Sequence, residues 1–399
     1  DPNDLTPADR GLWGGLVMLG RATTNEPTTE NQIEGIPSEQ EALYGGNDDA
    51  DNSGTLRYVS IRHGGFSISG IAGDEINGLT LGAVGSGTTI EYVEVFANLD
   101  DGVEWFGGTV NTKYLTVAYC GDDSFDYDQG FRGNHQFWFS LSAGDEAGRA
   151  GEHDGGDSQE FEQPFAIPVI SNVTYIGAGE NATVPGGDNN SPMLAIRDNA
   201  GGKYYNSIFT QFPDAGVSIE DLSGSVDSRA RLEAGDLRLQ NNLWFAFGGP
   251  LSSQDYVVNY LTDAANNNQV VDPLLRGVDN TPEGTFDPRP ALGSPAILNA
   301  DFNLDGLDNE FFDQVSYQGA FGGENWLSGW TALDGYGFID DVPLGTADNE
   351  VVVTDDISAN TTWTADNIYI LNGLVFVNAG AELTIQPGTV IKGRAAGTI

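Results

Sequence analysis

Two pairs of aspartates stand 22 residues apart in this sequence: Asp100 and Asp101 in NLDDG, and Asp122 and Asp123 in GDDSFD. If the pairs occupy the same point on consecutive turns of a repeating fold, Asp101, Asp122 and Asp123 come together. Two carboxyl groups with room for a water suit an inverting hydrolysis, one as acid and one as base. A plain ladder of Asp caps, or a calcium site, would use the same stacking. A second oxygen-rich run reads Asp301-x-Asn303-x-Asp305-Gly306-x-Asp308. Alternating side-chain oxygens ahead of a glycine open a calcium loop, because a hard cation takes six to eight oxygens and Gly permits the sharp turn. Phe312 stands where a closing Glu is usual, so Asp313 is expected to complete the shell. Asp48, Asp49 and Asp51 in NDDADNSG form a weaker candidate, and Glu152, Asp154 and Asp157 a weaker one still. The expected cofactor is therefore calcium. His63, His135 and His153 share no zinc-ligand spacing.

Charge sets the partners. The chain of 399 residues carries 59 acidic and 16 basic residues, a formal net charge of −43. Such a surface repels nucleic acid and anionic lipid, which drops both as partners. It also repels its own copies unless salt or divalent cations screen it. No apolar run reaches transmembrane length, so no membrane insertion is expected. Cys120 is the one cysteine and rules out an internal disulfide. It closes the apolar run YLTVAYC and reads as a buried thiol. The abrupt start at Asp1 and stop at Ile399 suggest a processed or partial piece.

The elements that position these residues repeat. Short alternating strands recur at 56–63, 89–98, 112–120, 135–142, 169–178, 202–210 and 236–245, sharing an apolar-x-Tyr/Asn-apolar-x-apolar pattern. Tyr92 and Tyr114 are 22 residues apart, and Tyr58 and Tyr92 are 34 apart. A step in the low twenties is one turn of a parallel β-helix, and longer steps carry loops. Alternation turns one face of each strand inward, and only stacked rungs can bury it together. The 54 glycines, with many asparagines, suit the corners. The expected fold is all-β, a right-handed parallel β-helix with a loop-rich flanking layer. Residues 1–249 form its body, 250–339 a loop-rich closing segment and 340–349 a linker. Strands resume over 350–399, with Gly373, Gly380 and Gly388 as corners. One short helix is expected within 220–234. Trp105, Phe106, Tyr127, Phe131, Trp138 and Trp244 read as core or rung-stacking residues before they read as a sugar platform.

The blocks RGLWGGLVMLGRA, GLTLGAVGSGTTIEYVEVFANLDDGVEWFGGTVN, CGDDSFDYDQGFRGNHQF and NGLVFVNAGAELTIQPGTVIKG resemble secreted right-handed parallel β-helix surface proteins of Bacteroidetes-type bacteria. The resemblance implies multidomain chains exported by a sorting signal. In that pattern the NGLVFVNAG block opens the helix and GENWLSGWTALDGYGF closes it. Here the opening block comes last. Either residues 350–399 begin a following β-helix unit, or they complete the first rungs of a neighbouring subunit through Val375, Val377, Leu383, Ile385, Val390 and Ile391. The Asp101, Asp122 and Asp123 set also resembles polygalacturonase-like glycosidases, but their Gly-His-Gly rung and Arg-x-Lys clamp have no counterpart.

The expectation is an extracellular or cell-surface structural protein, a calcium-stabilised rod or filament of β-helix units stacked head to tail, with adhesion as a further role. Its partners are other copies of itself and surface polysaccharide. The alternative is a polysaccharide-active enzyme, hydrolase or lyase, centred on Asp101, Asp122 and Asp123.

Overall fold

The strands coil upward in parallel, turn upon turn. The computed structural model describes residues 5–37, 40–68, 76–156, 160–222, 226–279, 285–339, 349–364, 367–386 and 389–393. The expected linker lies outside these except for Asn349, as do Asp157 and the corner at Gly388. Two sheets carry the body. The short sheet stacks Leu16–Leu19, Leu79–Gly82, Val103–Phe106, Phe125–Asp128, Gly151–His153, Leu194–Ile196 and Val217–Ile219. The long sheet runs through Thr55–Arg62, Thr89–Phe96 and Asn111–Ala118 down to Gln269–Val270. Every pairing within these two sheets is parallel among the described residues, as stacked rungs require. The core between them is aromatic: Trp105 stacks on Trp138 at 5.0 Å, Trp138 on Phe125 at 4.6 Å and Tyr127 on His153 at 4.0 Å. All of these side chains are buried.

The repeated Tyr or Asn of the strand pattern is itself a corner. Tyr58, Tyr92, Tyr114, Phe137, Asn172, Asn206 and Asn241 all have φ between 54° and 62°. A left-handed backbone costs a side chain about 1–2 kcal/mol, so each corner needs an offsetting contact. The upper corners stack their rings: Tyr58 on Tyr92 at 4.5 Å, Tyr92 on Tyr114 at 4.3 Å and Tyr114 on Phe137 at 4.8 Å. The lower ones run an amide ladder, in which Asn241 donates to Asn206 Oδ1 at 2.7 Å and Asn267 to Asn241 Oδ1 at 2.5 Å.

The closing segment lies along this line of corners, on the solenoid's side. Asn172 donates to Tyr317 O, Asn206 to Asp301 O and Asn241 to Asn299 O. Higher up, Trp326 and Trp330 meet the tyrosine rings edge-on, at 5.4 Å from Tyr114 and 5.7 Å from Tyr58. The expected short helix is Ser228–Ala234, with Asp227 accepting from Ala230 N and Gly235 ending it at φ 88°. A second helix, Asp255–Thr262, falls where only irregular chain was expected. It buries Val257 and Leu261, four residues apart on one helical face, and Tyr256 donates to Ile219 O on the last strand of the short sheet. This helix caps the lower end of that sheet.

The C-terminal strands lead back to the beginning of the chain. Asn349–Val353 pairs with Asn367–Leu371, that strand with Val390–Gly393, and Val390 lies opposite Ser60 in the body's first long-sheet strand. Residues 349–393 therefore stand first in the stack although they come last in the sequence. Within this chain the segment takes a seat on its own body, because its parallel register and apolar inner face continue the body's own first rung.

Candidate functional site

The short sheet presents its outward row at one register: Glu104 beside Asp126, and Asp126 beside Glu152. Alternation fixes this, since Val103, Trp105, Phe125 and Tyr127 point into the core. The turn before each strand adds Asp100 and Asp101 on one rung and Asp122 and Asp123 on the next. The 22-residue step thus brings together the three aspartates expected to meet. Carboxylate oxygens of Asp100, Asp101 and Asp122 lie within 4.8 Å of one another, as do those of Asp101, Glu104 and Asp126, and those of Asp122, Asp123 and Asp188. This is tighter than the ~6.5–9.5 Å that inverting hydrolysis leaves for its water.

Two of these aspartates also clip rungs together. Asp101 Oδ1 accepts from Asp123 N at 2.9 Å, and Asp123 Oδ1 accepts from Arg149 N one rung further. Asn77 donates to Glu104. Oδ1 of Asp126 is enclosed and takes no hydrogen bond. Positive charge comes from one side: Arg149 reaches Asp123, Glu152 and Asp188, and Arg197 reaches Glu152 and Asp154, both at 2.7 Å. Burial, then the charges of Asp126, Asp100, Asp123 and Asp122, holds Asp101 well above the ordinary carboxylate range. Burial, then Glu34 and Asp101, does the same for Glu104. Asp126 is raised by burial and by Glu104, and Asp123 by burial and Asp122 against the pull of Arg149. Such a ledge can share protons or hold a cation; fully ionised and uncompensated it is costly.

Glu104 and Asp126 were missed in the sequence, although the same step flags them: aligned at 22 residues, VEWF and FDYD each carry one acid at the outward position. Arg149 and Arg197 leave no such signal, because their rungs are spaced by loops of unequal length.

The other candidates sit apart from this ledge. Asp305 is paired with Lys203 at 2.5 Å and Asp313 with Lys113 at 2.7 Å. Asp301 Oδ1 accepts from the backbone and side chain of Asn303. Asp308 is exposed. Two of the carboxylates expected to pin the irregular layer through calcium thus meet lysines of the long sheet. Asp49 accepts from Thr23 N and Oγ1 and meets Arg132 at 3.4 Å. Asp48 accepts from Ala50 N and Asp51 from Ser53 Oγ, as in ordinary turns. Of the expected assembly residues, Val375, Leu383 and Ile391 pack against the main core, Ile385 is buried in it, Val390 reaches the body and Val377 stays exposed.

A solenoid of parallel strands with stacked carboxylates on its short sheet defines a parallel β-helix protein. The chain belongs to the family of the pectate-lyase like beta helix domain, whose model matches residues 3–270. No curated protein and no solved structure matches it.

Proposed function

We propose that the protein is an extracellular structural rod whose copies join head to tail, steadied by calcium, with adhesion to surface polysaccharide as a further role. The observation that carries this reading is the state of the long sheet's two ends. At the upper end Asn349–Val353 is the last strand among the described residues, with Val351 and Val352 exposed. At the lower end the sheet stops at Gln269–Val270, where Val270 is 66% exposed. Sheet edges are ordinarily blunted by charge, proline or a cover; beside Glu350 at one end and Asp272 at the other, these also expose valines. Unlike surfaces at opposite ends, meeting repeatedly without closure, give a line of copies. Calcium has its natural place on the acidic ledge, where carboxylates outnumber the arginines. Electron microscopy of the full chain at rising concentration tests the assembly. Rods many times longer than one solenoid are expected, and single particles at every concentration would sink it.

A second reading rests on the meeting of Asp101, Asp122 and Asp123 with Glu104 and Asp126. In it the ledge acts on an acidic or neutral polysaccharide, with the exposed Asp122 nearest the substrate. Sugar release by the full chain, lost in Asp122→Asn, would favour this reading; no release from either polysaccharide class removes it.

A further inference from the structure

The seam between residues 349–393 and the body differs from every other rung boundary nearby. Thr55–Arg62 runs along Thr89–Phe96 almost from end to end, whereas among the described residues its partner pair with Val390–Gly393 is Ser60 facing Val390. A cavity of about 400 Å3 lies at this seam, between Trp13, Tyr58 and Tyr336 of the body and Ile370, Val390 and Ile391 of the terminal strands. On the far side of the seam the terminal strands hold themselves together. Asn349–Val353 and Asn367–Leu371 pair over their full lengths, and Trp363 stacks on Tyr369 at 4.5 Å. Ile357, Trp363, Tyr369 and Ile385 are all buried. One contact makes the seat specific: a Cβ on Gly393 would fall 2.0 Å from Trp13 Cγ, so only glycine lets this backbone close on the indole.

We infer that this seat is an exchange surface whose other occupant is residues 349–393 of a second copy. The inference rests on the reading of the protein as self-assembling and places a joint at the upper end of the solenoid. A self-ordered block whose seam with the body keeps a cavity can leave one body and fill the same seat on another, because the surfaces in contact are identical. Helix Asp255–Thr262 caps the lower end of the short sheet, whereas exchange uses only contacts that already exist. Strand addition of this kind takes its affinity from main-chain hydrogen bonds and its specificity from side chains such as Trp13. Reciprocal exchange closes a dimer, and onward exchange gives an open line.

The test uses full-length chains and the Ser60–Val390 pair. Cα atoms on neighbouring parallel strands lie within disulfide reach. Cys120 is buried and its thiol is pushed up to about 12 by that burial, so it stays out of the reaction. A chain carrying Ser60→Cys is co-expressed with one carrying Val390→Cys and oxidised. The expected result is a disulfide-linked pair containing one chain of each kind, at least tenfold reduced by adding Gly393→Val. A chain with both substitutions should close within itself as well as between copies. Exchange is overturned if the two single variants stay unlinked while the double variant closes only on itself. Rods seen by microscopy would then stand on another joint and the structural reading would survive. A double variant that never closes contradicts the seam itself and overturns the inference as well.

Discussion

At the scale of single residues, the corners and the acidic ledge both hold groups in unfavourable states that neighbours make tolerable. Tyr92 keeps φ 54° and stacks on two rings. Tyr92→Ala loses both stacking contacts and keeps the backbone penalty, which should cost about 1–3 kcal/mol by urea unfolding. Tyr92→Gly should be the milder change by about 1 kcal/mol, since glycine adopts this conformation freely. If alanine proved the milder one, the corner would not be governed by its backbone. On the ledge, Asp101, Glu104, Asp123 and Asp126 have raised pKa values. The folded chain binds these protons more tightly than the unfolded chain, whose carboxyls titrate near about 4. That contribution is fully present below about pH 4 and is lost as pH rises through the folded values. Asp49, Asp287 and Asp305 are lowered and act in the opposite sense, with stability lost as pH falls through their folded values, below about 4. Melting should therefore be higher at pH 5 than at pH 8, the difference shrinking in Asp126→Asn. Millimolar calcium should raise melting at pH 8 more than at pH 5, because there it takes the place of the missing protons. Equal melting at both pH values with and without calcium would remove the ledge from any account of stability.

Among elements, the closing segment shows how an irregular stretch is fixed by a regular one. Glu94 is fully buried in the long sheet, and its two carboxylate oxygens accept from Ala332 N at 2.8 and 2.7 Å, at the start of helix Ala332–Gly335. Ser60 donates to the same group and Arg62 stands 3.9 Å away. Burial raises the Glu94 carboxyl despite these partners. Glu94→Ala strands the Ala332 amide and should cost about 1–3 kcal/mol. Amide exchange over 331–338 should quicken with it, while Glu94→Gln should keep most of the protection. Unchanged exchange in the alanine variant would mean that the segment is held by its aromatic contacts alone. The same logic explains why Lys113 and Lys203 matter: each reaches from a rung to a loop carboxylate that solvent would otherwise hold.

For the whole molecule, a continuous core joins the terminal strands to the body, since Ile357, Trp363, Tyr369 and Ile385 belong to the same buried cluster as Trp13, Leu56 and Val59. A chain ending at Ile339 leaves that face of the first rung uncovered. It should melt lower than the full chain and aggregate through the bared apolar surface around Trp13. Indole fluorescence should report Trp13 in water, and an unchanged melting point would mean that the terminal strands add nothing to the fold. The charge of −43 acts at this scale too, and salt should favour assembly by screening the repulsion between copies.

The solenoid was legible before any coordinates. Period-two alternation and a step in the low twenties leave stacked parallel rungs as the way to bury so many short apolar faces. The same step foretold that Asp101, Asp122 and Asp123 would meet, and it held Glu104 and Asp126 in plain sight. Helix Asp255–Thr262 was lost among its Asp and Asn neighbours, because one turn of spaced apolar residues is too short to stand out. Packing, and not local pattern, brings lysines to two of the loop's carboxylates. Lys203 and Lys113 lie 102 and 200 residues from Asp305 and Asp313, and no local pattern announces such pairs. Nor can spacing show where residues 349–393 lie, because a strand's pattern states which face it must bury and leaves open which rung it will bury that face upon.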